Sequence, residues 1–321
     1  MPVPELIAVH APLSDHQVER IAREAAPARV LGPTQLKADR TLLAGAEVLF
    51  TNAIKPERLR DAAKLRWIQT AGAGVEWLLT PEIVARPELT ITNASGVHGD
   101  QIAEHVFALM LALARRLPLA LQLQHEQRWD SAPFLANTPL LAGATLGILG
   151  VGAIGLRVAE LGAAFRMRVI GTRRGAAPAP HVERMYGPEG LGHVLRESHY
   201  VVNALPLTAA TRGLIGAPEL AAMRGDAVLI NIGRGGTVQT DALLAALQAG
   251  RIAGAGLDVT DPEPLPPEHP LWRCERALIT PHFSGGRPGY YDLVSDIFLD
   301  NLRRYRAGEP LRNTVDRAAG Y

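Results

Sequence analysis

The sequence predicts an α/β fold of doubly wound parallel sheets divided into two domains, and three observations carry that prediction. Apolar runs of strand length alternate with helical patterns along the chain and are joined by short links, as repeated βα units require. Near the middle, the stretch LGILGVGAIG, Leu146 to Gly155, ends an apolar run in glycines at the G-x-G-x-x-G spacing and continues into a helix. A length of 321 residues suffices for two domains that each bury their own core.

Taken in order, residues 5–10 form an apolar strand, Ser14 opens a helix with Asp15 in its first turn, and residues 46–51 are another apolar run before Pro56. Residues 65–70 are a further strand that runs into Ala71-Gly72-Ala73-Gly74 and then a short helical stretch over 75–79. That small-residue turn is either a tight βα connection or a nest of backbone N–H groups for a carboxylate. After a short strand at 90–92, residues 100–117, DQIAEHVFALMLALARRL, read as a long helix ended by Pro118. Being apolar on nearly every face, it must be covered, either between domains or against a second subunit. Residues 122–139 mix polar side chains with Trp129 and Phe134 and predict a helix and an excursion.

Residues 144–149 read as a buried strand, 157–165 carry apolar residues at helical spacing, and 166–171 read as a second strand that completes a βαβ unit. Gly150 permits the tight strand-to-helix turn, Gly152 lets backbone approach a pyrophosphate, and Gly155 lets helix and strand pack closely. The helix that begins there offers N–H groups and the positive end of its dipole to the anion. Beyond a Pro/Ala-rich turn at 176–180, strands are expected at 199–205 before Pro206, at 227–232 before Gly233-Arg234-Gly235-Gly236, at 254–259, and at 277–280 before Pro281-His282. A helix over 241–249 has Gly250 at its C-cap position, the Pro-rich stretch 261–270 is irregular, and 290–306 is a closing amphipathic helix.

Composition narrows the function. Charged residues are 20%, hydrophobic ones 47% and the net charge is +1, a balance that argues against a disordered chain and a nucleic-acid-binding surface and leaves a small molecule as partner. No stretch reaches the roughly 18 apolar residues of a spanning helix, and MPVPELIAVH lacks a secretory pattern, so no membrane partner and a cytoplasmic location are expected. The single cysteine, Cys274, reads as a small core side chain. His10, His16, His125, His181, His193 and His269 show no metal-ligand spacing, so no metal is expected; His98 and His105, at the start of the apolar helix, read as structural.

In doubly wound sheets ligands sit beyond the carboxyl ends of the strands. Arg234, Glu263 and His282 each stand just past an expected strand. Beside a dinucleotide they suggest hydride transfer to a carbonyl next to a carboxylate. Arg234 offers a planar fork that can bind the carboxylate and polarise the carbonyl. His282 is the type of side chain suited to proton donation near neutral pH, and Glu263 would orient it and favour its protonated form.

The runs GILGVGAIG, NALPLTAATRGLIG, LINIGRGG, GLDVTDPEPLP and ITPHFSG resemble, in order and spacing, the D-isomer-specific 2-hydroxyacid dehydrogenase family, in its glyoxylate/hydroxypyruvate reductase-like branch. The likeness extends to TAGAGVEWLL, NASGVHGDQIAEHVFALMLALARRLP and NLRRYRAGEPLRNTV, so it covers nearly the whole chain. It implies a Rossmann dinucleotide-binding domain, residues 99–286, inserted into a flavodoxin-like substrate domain, residues 1–98 and 287–321. Helices around 102–116 and 290–305 would cross between them. By the same resemblance Arg234, Glu263 and His282 are the catalytic trio, Asp258 meets the nicotinamide carboxamide, and the backbone of Ala73 and Gly74 joins Arg234 in holding the substrate carboxylate. The expected cofactor contacts are Gly150, Gly152, Ala153, Ile154, Gly155, Arg173, Arg174, Pro206, Thr211, Ile232 and Asp258.

Departures from the family pattern matter too. After the second nucleotide-domain strand, where NAD-dependent members place an acidic residue for the ribose 2′-hydroxyl, this chain reads Gly171-Thr172-Arg173-Arg174. A guanidinium there can meet a 2′-phosphate, so NADP(H) is the expected cofactor, with NAD(H) as the lesser alternative. His199 stands where many members have aspartate, which the sequence does not explain, and Arg287 occupies a position often held by threonine. Glu263 argues against the formate-oxidising branch, which has glutamine there. The expected activity is hydride transfer between NAD(P)H and the 2-keto carbon of a small 2-keto acid, giving a D-2-hydroxy acid, in a homodimer joined along helix 102–116. The alternative is a nucleotide-sensing, corepressor-like binding protein without significant turnover. Trp129 is a candidate for the wall of a partner subunit's pocket.

Overall fold

The computed structural model describes residues 3–60, 62–135 and 138–320. The expected domain limits include positions 1, 2, 61 and 321, and the expected excursion over 122–139 includes 136 and 137; these lie outside the described residues. The chain divides into two compact units, one taking in residues up to Val97 together with those from Arg287 onward, the other His98–Gly286.

In the first unit five strands, β1 (Leu6–Val9), β2 (Arg29–Leu31), β3 (Val48–Thr51), β4 (Trp67–Thr70) and β5 (Thr90–Thr92), form a parallel sheet of order β2-β1-β3-β4-β5. Strands β3 and β4 are buried at every residue, so neither alternates between a core and a solvent face, and β4 buries Gln69 and Thr70 along with Trp67 and Ile68. Val48, Phe50 and Trp67 face one core with the helices Asp15–Ala25 and Tyr290–Ala307; Leu49 and Ile68 face the other. The second helix inserts Phe298 against Phe50 and Trp67, with ring centroids 4.8 and 5.2 Å apart, and Tyr305 against Trp67 at 5.5 Å. The helical stretch expected at 75–79 is instead a turn, closed by the Leu78 N–H on the Val75 carbonyl at 2.9 Å. Pro81 holds Thr80 in extended backbone, so helix begins only at Pro81–Val84.

The second unit has seven strands: β6 (Thr145–Leu149), β7 (Arg168–Thr172), β8 (Arg184–Tyr186), β9 (Tyr200–Asn203), β10 (Val228–Asn231), β11 (Gly254–Leu257) and β12 (Ala277–Ile279). All pairings are parallel, in the order β12-β11-β10-β9-β6-β7-β8. The order reverses between β6 and β9, and that switch point is where such a sheet opens a crevice at its carboxyl edge. The expected fold class is the observed one: a flavodoxin-like order in the first sheet and a Rossmann order in the second.

The apolar helix differs from expectation. It runs Gly99–Ala114, Arg116 adopts a left-handed φ of 55°, and a new helix Leu117–His125 leaves at a bend of 65°. Pro118 therefore does not end the first helix but lies in the first turn of the second, where its missing N–H leaves no helical bond unmade. Nor does the helix require a partner subunit. Ile102, Val106, Phe107, Leu109 and Met110 are buried in one cluster with Leu146, Ile148, Val158 and Ile230 of the same unit. The exposed apolar side chains come afterwards: Leu121 is 58%, Trp129 102%, Leu135 82% and Leu140 70% exposed. Among the described residues no single helix is long and apolar enough to cross a membrane.

Candidate active site

Strand β6, buried throughout, ends in Gly150 at a φ of +92°, a region that favours glycine. A Cβ there would stand 3.1 Å from the Ala204 carbonyl oxygen. The turn is fixed from behind, because the N–H groups of Gly150 and Val151 both donate to the Thr172 carbonyl, at 3.2 and 2.9 Å. Gly155, in the first turn of helix Ala153–Ala164, lies so close to that turn that a Cβ would come 2.5 Å from the Gly150 oxygen. A Cβ on Gly152 would meet nothing within 4 Å. The one open glycine thus stands at the N-cap, beside the first N–H groups of the helix, Ala153 and Ile154, which have no helical acceptor. That geometry fits a dinucleotide pyrophosphate.

The other expected contacts follow neighbouring strands in the same row. Arg173 and Arg174 leave the end of β7 with exposed side chains, and the Arg173 N–H on the Tyr186 carbonyl, 2.9 Å, fixes where they leave it. Pro206 and Thr211 lie in the loop after β9, tied together by the Thr211 hydroxyl donating to the Pro206 carbonyl. Ile232 follows β10, buried, its N–H on the Asn203 carbonyl at 3.1 Å.

Arg234 stands two residues further on, half-buried, its carbonyl accepting from Thr237 Oγ1 at 2.6 Å and from Asn231 Nδ2 at 3.3 Å, while its Nη1 donates to the Gly233 carbonyl at 2.8 Å. Beneath it a buried amide network joins two strand ends: Asn203 Nδ2 donates to Asn231 Oδ1 at 3.0 Å and to Thr237 Oγ1 at 2.6 Å. Sequence reasoning missed this network. Its signal was there, since the apolar runs of β9 and β10 each end in asparagine. Burial holds the His98 imidazole below its ordinary pKa, and the Arg234 guanidinium adds to the effect.

Glu263 and His282 meet. Glu263 Oε1 hydrogen-bonds His282 Nδ1, and Glu263 Oε2 accepts from the Thr260 N–H at 3.4 Å. A carboxylate cannot donate, so Nδ1 carries the proton of that bond and Nε2 is the ring nitrogen left to exchange one with a substrate. Both side chains are partly exposed. Asp258, by contrast, is 1% exposed with both oxygens occupied: Oδ1 accepts from the Thr280 hydroxyl at 2.7 Å and the Phe283 N–H at 3.2 Å, Oδ2 from the Ser284 N–H at 3.1 Å. Burial pushes the Asp258 carboxyl up, but these hydrogen bonds outweigh it and hold it below the usual carboxylate value.

His199 now has a structural account. Its Nδ1 accepts from the Thr145 N–H at 3.0 Å and its own N–H donates to the Thr145 carbonyl at 2.9 Å, so the imidazole closes the start of β6 as an acceptor. Burial lowers its pKa, which keeps Nδ1 available. In the first unit Ala73 and Gly74 follow β4; the Ala73 carbonyl accepts from Asn93 Nδ2 at 2.9 Å and the Gly72 carbonyl from Thr70 Oγ1 at 2.9 Å, so the carbonyls of this loop are committed inward. Arg287 is exposed, and no group of metal-ligating side chains occurs among the described residues.

Comparison with known proteins gives a consistent picture. The family described as D-isomer specific 2-hydroxyacid dehydrogenase, NAD binding domain, matches residues 107–284. A glyoxylate reductase of Aeropyrum pernix is 37% identical over 279 residues, 84% of this chain and 82% of that protein. A solved D-isomer specific 2-hydroxyacid dehydrogenase family protein from Aeromonas salmonicida superposes with a TM-score of 0.85 at 33% identity, covering 98% of this chain and 99% of that one. An NADPH-dependent glyoxylate/hydroxypyruvate reductase from Sinorhizobium meliloti, solved with NADP and sulfate, gives 0.86 at 27% identity, covering 99% and 100%.

Proposed function

The chain belongs to the D-isomer specific 2-hydroxyacid dehydrogenase family, and we propose that it reduces a small 2-keto acid of the glyoxylate or hydroxypyruvate kind to the D-2-hydroxy acid, with NADPH preferred over NADH. The observation that carries this reading is the Glu263–His282 pair, which follows the two strands next to that of Arg234, in the same row of strand ends as the open glycine turn. Bound NADPH supplies the hydride. Arg234 binds the substrate carboxylate and polarises the keto oxygen, and His282 Nε2 delivers a proton to that oxygen. Glu263 keeps the imidazole oriented through its hydrogen bond to Nδ1. In this reading residues 99–286 hold the nucleotide at the eleven expected cofactor contacts, and the rest of the chain is the substrate domain. The NADPH preference is supported by Arg173 and Arg174 at the end of β7 and by the NADP held in the Sinorhizobium relative.

The protein is proposed to be a homodimer. The exposed apolar side chains Leu121, Trp129, Leu135 and Leu140, rather than the covered Gly99–Ala114 helix, support that assignment. Light scattering at micromolar concentration is expected to return twice the 34.4 kDa chain mass. The function is tested by following NADPH and NADH oxidation with glyoxylate, hydroxypyruvate and longer 2-keto acids. Turnover with at least one is expected; binding of NADPH with no turnover on any of them would favour the nucleotide-sensing alternative.

A further inference from the structure

We propose that His105 and Thr280 are positioning residues for His282, acting through the Asp258 carboxylate; the proposal rests on the reading of His282 as proton donor. The loop carrying His282 leaves β12, a strand at the edge of the sheet paired only with β11. His282 sits at a left-handed φ of 49°, a conformation a histidine keeps only where its surroundings impose it. The His282 N–H is shared with the Thr280 carbonyl at 3.0 Å, and Asp258 holds three successive N–H groups. The Asp258 carbonyl accepts from the His282 N–H at 2.9 Å, and the Asp258 carboxylate accepts from the next two N–H groups, Phe283 and Ser284, at 3.2 and 3.1 Å.

The carboxylate can clasp that loop only while its own rotation is fixed, and a hydrogen-bond chain fixes it. Thr280 Oγ1 donates to Asp258 Oδ1 at 2.7 Å, since a carboxylate can only accept. With its one hydrogen committed, Thr280 Oγ1 must be the acceptor in its 3.0 Å contact with His105 Nε2, so Nε2 is protonated and the ring is the start of the chain. Burial holds the His105 imidazole below its ordinary pKa against the pull of Asp258, whose Oδ1 is 3.6 Å away, in keeping with a neutral donor. His105 is anchored in a helix packed on the same sheet, and its ring edge meets Phe283 at 4.9 Å between centroids. The order of support is therefore helix, His105, Thr280, Asp258, and finally the backbone on either side of the proton donor.

The test uses isosteric pairs in the full-length protein. Thr280→Val removes the hydroxyl and keeps the shape; Thr280→Ser keeps the hydroxyl. His105→Leu removes the donor; His105→Gln places an amide N–H near the position of Nε2. Thr280→Val and His105→Leu are expected to lower kcat about tenfold or more, with NADPH affinity and substrate KM within about twofold of the parent, because loss of angstrom-scale alignment acts on turnover. The Ser and Gln variants are expected to recover most of kcat. Hydrogen exchange on the protein without cofactor gives a second readout: the amides of Phe283 and Ser284 should exchange about tenfold faster in Thr280→Val and His105→Leu and recover in Thr280→Ser and His105→Gln. Parent-like kcat and exchange in Thr280→Val and His105→Leu would overturn the proposal, as would equal losses in Thr280→Val and Thr280→Ser. His282→Asn, assayed alongside, separates the two levels: if it is inactive while Thr280→Val and His105→Leu are fully active, only the positioning role fails; if it is active, the reading of His282 fails and takes the proposal with it.

Discussion

Replacing two glycines of the same turn by alanine should separate folding from nucleotide binding. In Gly155→Ala the new methyl would lie 2.5 Å from the Gly150 carbonyl oxygen and 3.2 Å from Ile148 Cγ2. Backbone contacts shorter than about 3 Å are not sustained, so helix Ala153–Ala164 must retreat from β6 by at least about 0.5 Å, and the Gly150 oxygen cannot give way because the turn is pinned on Thr172. Overpacking of this kind costs about 1–3 kcal/mol. At about 2–4 °C per kcal/mol for a unit of this size, Tm should fall by roughly 2–12 °C. In Gly152→Ala the methyl meets nothing within 4 Å, and Gly152 has a φ of −97° that alanine adopts without strain, so Tm should stay within about 1 °C of the parent. The methyl would nevertheless fill the space left for the pyrophosphate, and NADPH affinity should drop at least about tenfold. Thermal melting without cofactor and fluorescence titration of NADPH read the two effects. A Gly152→Ala protein that melts several degrees early yet binds NADPH normally would refute the reasoning at both ends.

Further perturbations follow from the site. Arg234→Ala should lower kcat and raise KM together by orders of magnitude, because one fork both binds and polarises the substrate; steady-state rates within twofold of the parent on the best 2-keto acid would remove it from the mechanism. His282→Asn should lose about 10²–10⁴-fold in reduction, while Glu263→Gln, which keeps the shape but loses the charged acceptor of His282, should keep part of the rate; a His282→Asn enzyme at a near-normal rate would contradict the assignment. Arg173→Ala/Arg174→Ala should lose most of an expected ten- to hundredfold preference for NADPH in kcat/KM, with roughly that size set by one charge-assisted phosphate contact, and added salt should erode the parent's preference because the side chains are exposed. Asp258→Asn should destabilise the protein in urea melts; since the native carboxyl is held below its ordinary value, that stabilisation is fully present above about pH 4, and the gap to the parent should narrow only as pH falls below that.

What the sequence revealed and what it hid divide along physical lines. Strands buried on both faces, such as β3, β6, β9 and β10, announce themselves as apolar runs, and a chain of βα units leaves few topologies open, so the fold class was legible. Arg234, Glu263 and His282 were singled out because parallel strands converge at their carboxyl ends, and the structure shows Glu263 and His282 in contact. Strands β2 and β8 escaped notice, being three residues long and partly exposed at sheet edges, as Arg29–Leu31 and Arg184–Tyr186 are. The kink at Arg116 was hidden because Pro118 fits both the end of one helix and the first turn of another. Hydrogen bonds between residues far apart in sequence, such as His105 to Thr280 or Thr145 to His199, leave no periodic trace at all.

The interruption of the first unit by the second has a consequence for how the chain emerges during synthesis. When Val97 has left the ribosome, all five strands of the first sheet exist, yet the aromatic faces of Phe50 and Trp67 still lack Phe298 and Tyr305, which lie some two hundred residues downstream. The intervening unit is contiguous and can close its own sheet as soon as β12 is made, before the rest of its host is translated. The unit that begins translation first therefore finishes folding last, and for most of that interval Phe50 and Trp67, its two largest fully buried side chains, wait for the rings that stack on them.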